Sequence, residues 1–165
     1  METSLPLHLL RVISILLVAL LAGLAFAHVL EQPAKMLYDA ELYLALQRTL
    51  YAQWGPPHIG GFLEPASIVA TGLLAVFIRK DRRALWFTLS AVLALLVAFP
   101  IVFFWLVAPA NAVFLASAPA GIPLDWTVHR SNWETGHAIR FALQGLALAL
   151  LVLSLALDAA SERTV

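Results

Sequence analysis

The sequence predicts an all-α integral membrane protein, a four-helix bundle with a short interfacial helix between its first and second spans. Three observations carry this. Apolar residues make up 62% of the 165-residue chain and charged residues 12%, against roughly half and a quarter in soluble domains. The apolar residues fall into four runs, each near the roughly 20 residues that a helix needs to cross the hydrocarbon layer. The stretches between them are too short for a separate soluble domain, so residues 1–165 read as one transmembrane domain. The formal net charge is zero and there is no cysteine. That excludes disulfides, thiolate nucleophiles and iron–sulfur clusters, and nothing in the balance points to a nucleic-acid partner.

The first span is expected over about 12–30. A signal peptide is the competing reading, because Arg11 precedes an apolar core and Ala25-Phe26-Ala27 has the small-x-small form of a cleavage site. The barely basic start and the length of the run favour a retained helix. Ala19, Gly23 and Ala27 form a small-x-x-x-small stripe suited to close helix contact. His28 and Glu31 follow on nearly one side, and Pro33 is expected to end the helix. Residues 39–54 are too polar to span. Asp39 suits an N-cap, Leu42, Leu46 and Leu50 share one side, and Tyr38, Tyr43, Tyr51 and Trp54 suit the membrane–water boundary. This segment reads as a surface-lying helix that roofs the bundle, closed by the Gly55-Pro56-Pro57 break.

The second span, 59–78, contains one charge, Glu64, followed by Pro65. Gly60, Glu64, Ser67 and Thr71 lie at i, i+4, i+7 and i+11 on one face. The dense basic cluster Arg79-Lys80-Asp81-Arg82-Arg83 comes next, and the positive-inside rule puts it in the cytoplasm. The third span, 84–108, carries no charge, with a kink expected at Pro100. Residues 109–132 read as a loop, the fourth span as 133–157, and the tail 158–165 as mobile. On the fourth span Trp133, His137, Arg140 and Gln144 form one face at i, i+4, i+7 and i+11, which must look inward because an ionised group facing lipid is costly. With four spans and a cytoplasmic basic loop, both termini are cytoplasmic. His28, Glu31, Glu64, Asn111, His137 and Arg140 then gather in the outer half of the bilayer, from four different helices.

Several stretches resemble one family. G-L-A-F-A-H-V-L-E-Q-P-A-K from Gly23, E-P-A from Glu64, A-P-A-N-A from Ala108 and W-E-T-G-H-A-I-R from Trp133 are similar to the anthrone-oxygenase-like family of small membrane proteins, many of them bacterial. The W-x-x-x-H-x-x-R element is the most specific of these. The resemblance implies a four-helix membrane fold, a bacterial inner-membrane location, and oxidation of anthrones to anthraquinones by O₂ without a dedicated cofactor.

The residues themselves suit an oxidoreductase or oxygenase acting on a lipophilic anthrone, phenol or quinol. His137 is the expected base, since imidazole titrates near neutrality. Arg140 would hold a developing oxyanion, with Glu64 or Glu31 orienting the histidine or balancing the arginine. Trp133 could stack on an aromatic ring, Asn111 could hydrogen-bond a carbonyl, and His28 and Glu31 complete the substrate-binding set. A second class is a metal or haem redox protein, with His28, Glu31, Glu64 and His137 as candidate ligands, although their spacing matches no recognised ligand motif. A third is a non-enzymatic membrane protein in which the cluster is an interhelical clamp. The bilayer is the expected partner, a hydrophobic small molecule the expected substrate, and a homo-oligomer is compatible with the apolar surface. Because the chain lacks cysteine, a single thiol introduced at Asp81 should label only from the cytoplasmic side, and one at Asp125 only from outside. Labelling of Asp81→Cys by an impermeant reagent in intact cells would overturn the orientation.

Overall fold

The computed structural model describes residues 5–162, with side chains described outside 118–120 and 158–162. Among the described residues the regular structure is entirely helical. The chain forms α1 (Leu5–Lys35), α2 (Ala40–Thr49), a 3₁₀ turn (Tyr51–Gln53), α3 (Ile59–Phe77), α4 (Arg82–Leu96), a π-helical segment (Val97–Val107), α5 (Ala108–Ala120) and α6 (Trp126–Glu162). Four stretches are long and apolar enough to cross a membrane: Leu5–Lys35, Ile59–Phe77, Arg82–Ser117 and Trp126–Leu157. The protein is thus an integral membrane helix bundle. Each span packs on its neighbours in sequence, α1 on α3 and α3 on α4, and α6 closes the ring against both α4 and α1.

One half of the bundle, beside the basic loop, has a plain apolar core that includes Val18, Leu74, Ile78, Ala91, Leu95 and Leu151. Small residues let α4 and α6 approach there, and Thr88 Oγ1 and Ser154 Oγ are hydrogen-bonded at 2.9 Å across the interface. The other half is aromatic, built on Tyr43, Tyr51, Phe103, Phe114 and Trp133. It lies beneath α2. Asp39 caps α2 by accepting from the Leu42 N–H at 2.9 Å, and Arg48 Nη1 donates to Ser117 Oγ of α5 at 3.1 Å.

Several expectations need correction. Pro33 does not end α1, which runs on to a buried Lys35. Pro33 leaves the Val29 carbonyl without its helical donor, and an ion pair described below holds Lys35 in place. The stretch 109–132 is mostly helix rather than loop. Pro109 stands where the π-helical segment passes directly into α5. The chain then breaks at Gly121, whose φ of 85° lies in the left-handed region that glycine favours. α6 starts at Trp126, seven residues before the polar motif, because the Asp125 carbonyl accepts from Val128 N at 2.9 Å and begins the helix. Arg130, one turn further on, donates to the Tyr38 carbonyl at 3.2 Å beyond the end of α1 and stacks on Trp126. Pro100 produces a π-helical stretch rather than a simple kink. A proline cannot donate to the i−4 carbonyl, so a widened turn is one way to continue. α6 carries on to Glu162 through most of the stretch expected to be mobile; residues 163–165 lie outside the described residues.

Two faces also differ from expectation. In α2, Tyr43, Leu44 and Gln47 turn inward while Leu42 and Leu50 are exposed. A helix lying at a bilayer surface can put leucine into lipid and polar aromatic groups onto the protein, the reverse of a soluble helix. In α1 the buried small residues are Ala22 and Ala25, and Gly23 of the predicted stripe has no atom within 4 Å of a built Cβ. Gly136 is where the contact between α6 and the third span leaves no room for a side chain. A Cβ there would lie 2.7 Å from Val107 Cγ2 and 3.1 Å from Leu106 Cβ. Gly136→Ala should therefore lower stability by about 1–3 kcal/mol through overpacking, and Gly23→Ala should leave it unchanged. Equal thermal unfolding midpoints for the two variants would contradict this contact.

Candidate functional site

The inward faces read from the sequence on α3 and α6 are the faces that meet. Glu64, Ser67 and Thr71 are buried on α3, and Trp133, His137, Arg140 and Gln144 are buried on α6. Arg140 Nη2 donates to Glu64 Oε1 in a buried ion pair. The Gln144 side-chain amide reaches the same oxygen at 3.4 Å. A guanidinium does not deprotonate in a protein, so in hydrocarbon it needs a counter-charge, and Glu64 is the carboxylate at the matching depth.

Above this pair sits an aromatic and imidazole cluster. The rings of His28 and His137 are 4.0 Å apart, and Trp133 packs against both, at 4.8 and 4.2 Å. Tyr51 and Trp54 from the roof close on His28 at 5.0 and 5.2 Å. The Trp133 indole N–H donates to Asn111 Oδ1 at 2.8 Å. This fixes the amide so that its nitrogen is the group left for another partner. Arg140 Nη1 lies 3.3 Å from His137 Nδ1. Because arginine only donates, His137 accepts at Nδ1 and carries its proton on Nε2. His28 Nδ1 and Arg140 Nε are buried without a partner.

These groups line a cavity of about 60 Å³, walled by α1, α3, α6, the π-helical segment and the roof, with His28, Glu64, Asn111, Trp133, His137 and Arg140 on its surface. That volume admits O₂ or a few waters. A cavity of about 150 Å³ is known to host benzene, so an aromatic ring enters here only if part of the wall yields.

Glu31 is not on this wall. Its carboxylate accepts from the Tyr51 hydroxyl at 2.6 Å, and its side chain is 37% exposed. The four expected metal ligands therefore do not converge: Glu64 is bonded to Arg140 and Glu31 to Tyr51, which leaves the two histidines. Their rings stand too close for an axially ligated porphyrin between them, since each metal–nitrogen bond is about 2.0 Å and the rings extend beyond it.

The sequence reading missed a second buried ionic group. Lys35 Nζ is 3.0 Å from Glu134 Oε2, and Tyr43 donates to Glu134 Oε1 at 3.0 Å. Lys35 is 1% exposed and Glu134 2%, and the ammonium lies over the Trp133 ring at 4.6 Å. The signal was present, since Lys35 follows Glu31 by one helical turn and Glu134 precedes His137 by three residues. Both lie near helix ends, where a charge is normally taken as solvated. Burial, then the Glu134 carboxylate, pushes the Tyr43 phenol well above its ordinary range; burial and the bond to Glu31 do the same to Tyr51. Both phenols stay protonated and act as donors.

The chain matches no protein-family model, no curated protein and no solved structure. The Arg140–Glu64 pair can be tested directly. Removing one partner of a buried pair strands the other charge, at a cost of about 3–5 kcal/mol. Arg140→Ala with Glu64→Ala should cost less than the two single changes added, with a coupling of about 0.5–3 kcal/mol. Additive losses in a double-mutant cycle would show that the pair does not bind the two spans together.

Proposed function

We propose that the protein is a membrane-embedded oxidoreductase that oxidises a lipophilic aromatic compound of the anthrone, phenol or quinol class with O₂, without a resident cofactor. The observation that carries this reading is the convergence, on one buried cavity, of an imidazole with an unengaged nitrogen, a charge-balanced guanidinium, a side-chain amide and aromatic walls. Such a substrate must lose a proton to become electron-rich enough for O₂. The resemblance of the W-x-x-x-H-x-x-R element to anthrone-oxygenase-like proteins supports the same class. It also supports a bacterial inner membrane, in which the basic loop at 79–83 would put the termini in the cytoplasm and the cavity in the outer half.

In this reading the base is His28. The lone pair of His137 points at Arg140, so that ring offers an N–H, whereas the Nδ1 of His28 is unengaged. Arg140 and the Asn111 amide stabilise the oxyanion of the deprotonated substrate. For an anthrone, the ring CH₂ loses a proton to the base and the carbanion passes its electrons to O₂, giving a hydroperoxide. This eliminates water to leave the new carbonyl, so one O₂ is consumed and one water formed. For a quinol, two electrons and two protons pass to O₂ and give hydrogen peroxide.

A second reading has its own observation. Both buried carboxylates already have cationic partners, which is what a purely structural clamp between helices requires. The readings separate on one purified preparation. With an anthrone and short-chain quinols in an oxygen electrode, the wild type should consume O₂. His28→Gln should retain its unfolding midpoint yet lose about 10²–10⁴ in rate, the usual worth of a general base. Undiminished turnover in His28→Gln would return the role to His137, and no oxygen uptake by the wild type with any of these compounds would overturn the reading.

A further inference from the structure

The roof is fastened at four places. Tyr51 bonds to Glu31 of α1, Tyr43 to Glu134 of α6 and Arg48 to Ser117 of α5. At the start of α3, the Gly60 N–H donates to the Trp54 carbonyl at 2.8 Å. A Cβ on Gly60 would come within 2.4 Å of that carbonyl oxygen, and one on Gly61 within 2.9 Å of Pro56 Cα. The glycines let the roof lie directly on the helix end. On that side Tyr51, Trp54, Gly55 and Pro56 form the wall of the cavity.

The lateral side is different. α3 packs on α1 and α4, whereas the π-helical segment that continues α4 packs on α6. The third span thus leaves α3 where its turns widen. The cavity spans this divergence, with Gly60 and Glu64 of α3 on one bank and Phe99, Phe103 and Val107 of the π-helical segment on the other. Phe62 and Phe104, on the same two elements, are exposed. The flank between these two elements is therefore apolar, and the cavity it borders also carries the unpartnered Arg140 Nε and His28 Nδ1.

We propose that the cavity fills from the hydrocarbon, through the gap between α3 and the π-helical segment, and that its occupant is a single-ring quinol or quinone whose hydrocarbon tail remains in that gap. The inference rests on the oxidoreductase reading and narrows its substrate class. The ring oxygens meet Asn111 and Arg140, and the ring lies against Trp133. Phe99 and Phe103 are the side chains that move aside, which gives the ring the space that 60 Å³ does not. A fused three-ring anthrone has no tail to place in the gap and needs more of the wall to move.

The test uses the full chain in lipid nanodiscs, with Trp86, Trp105 and Trp126 replaced by Phe so that fluorescence reports only the cavity residues Trp54 and Trp133. The probes are decylubiquinone and its tail-less head, 2,3-dimethoxy-5-methyl-1,4-benzoquinone. Decylubiquinone should quench saturably, and the tail-less head should bind about tenfold more weakly or worse, a difference of about 1.4 kcal/mol. In stopped flow, Phe99→Ala, which widens the gap without adding a fluorophore, should speed quenching by decylubiquinone about tenfold. Arg48→Ala, which frees one roof tether without touching the cavity, should not speed it. Equal binding of both probes, or a faster rate in Arg48→Ala with no effect of Phe99→Ala, would establish access from water and overturn the inference while leaving the oxidoreductase reading in place. Absence of saturable quenching by either probe would overturn the inference, and oxygen uptake with an anthrone by the same preparation would then show whether the broader reading survives.

Discussion

A permanent positive charge inside the hydrocarbon is the constraint that orders the structure. Arg140 cannot shed its proton, so the bundle must bring a carboxylate to it at the same depth. Glu64 does so from α3, which fixes both the rotation and the height of that helix against α6. With that register set, Ser67 and Thr71 fall inside and the apolar positions of α3 face α1, α4 or lipid. Glu134 and Lys35 repeat the arrangement one end higher and fix α1 against α6. The two pairs bracket the histidines and Trp133, which leaves a small space where unpartnered polar atoms remain.

The roof follows from the same accounting. Tyr43 and Tyr51 bring hydroxyl donors to carboxylates that would otherwise be only partly satisfied, and their phenols remain protonated there. That is why α2 turns its tyrosine and glutamine face inward and gives its exposed leucines to lipid. Burial of the charged and polar groups around the cavity strengthens each electrostatic interaction among them.

The spans were legible because hydropathy and length in a bilayer act over twenty residues and tolerate local exceptions. The inward faces of α3 and α6 were legible because one charge among apolar neighbours leaves a helix a single acceptable rotation. Helix ends were not. Prolines at 33 and 109 read as breaks, but α1 runs past Pro33 to Lys35, which the Glu134 carboxylate holds, and Pro109 lies where the π-helical segment passes directly into α5. Lys35 and Glu134 were overlooked because only the folded bundle brings the end of α1 against the start of α6. The predicted stripe of Ala19, Gly23 and Ala27 failed because small size permits close approach without demanding it. The π-helical segment leaves no periodic mark in a run that is apolar on all sides, and its widened turns are what separate the third span from α3. His137 drew attention through its motif, but the neighbouring guanidinium turns its lone pair away from the cavity, a detail of hydrogen-bond direction that spacing does not carry.

If the cavity beside Arg140 holds an aromatic lipid, as we propose, that lipid should travel with the protein. Solvent extraction and mass spectrometry of protein purified gently from its native membrane should recover a phenol- or quinol-class lipid in near-stoichiometric amount, depleted in a folded Asn111→Leu variant. Recovery of phospholipid alone, in equal amounts from both proteins, would contradict the account.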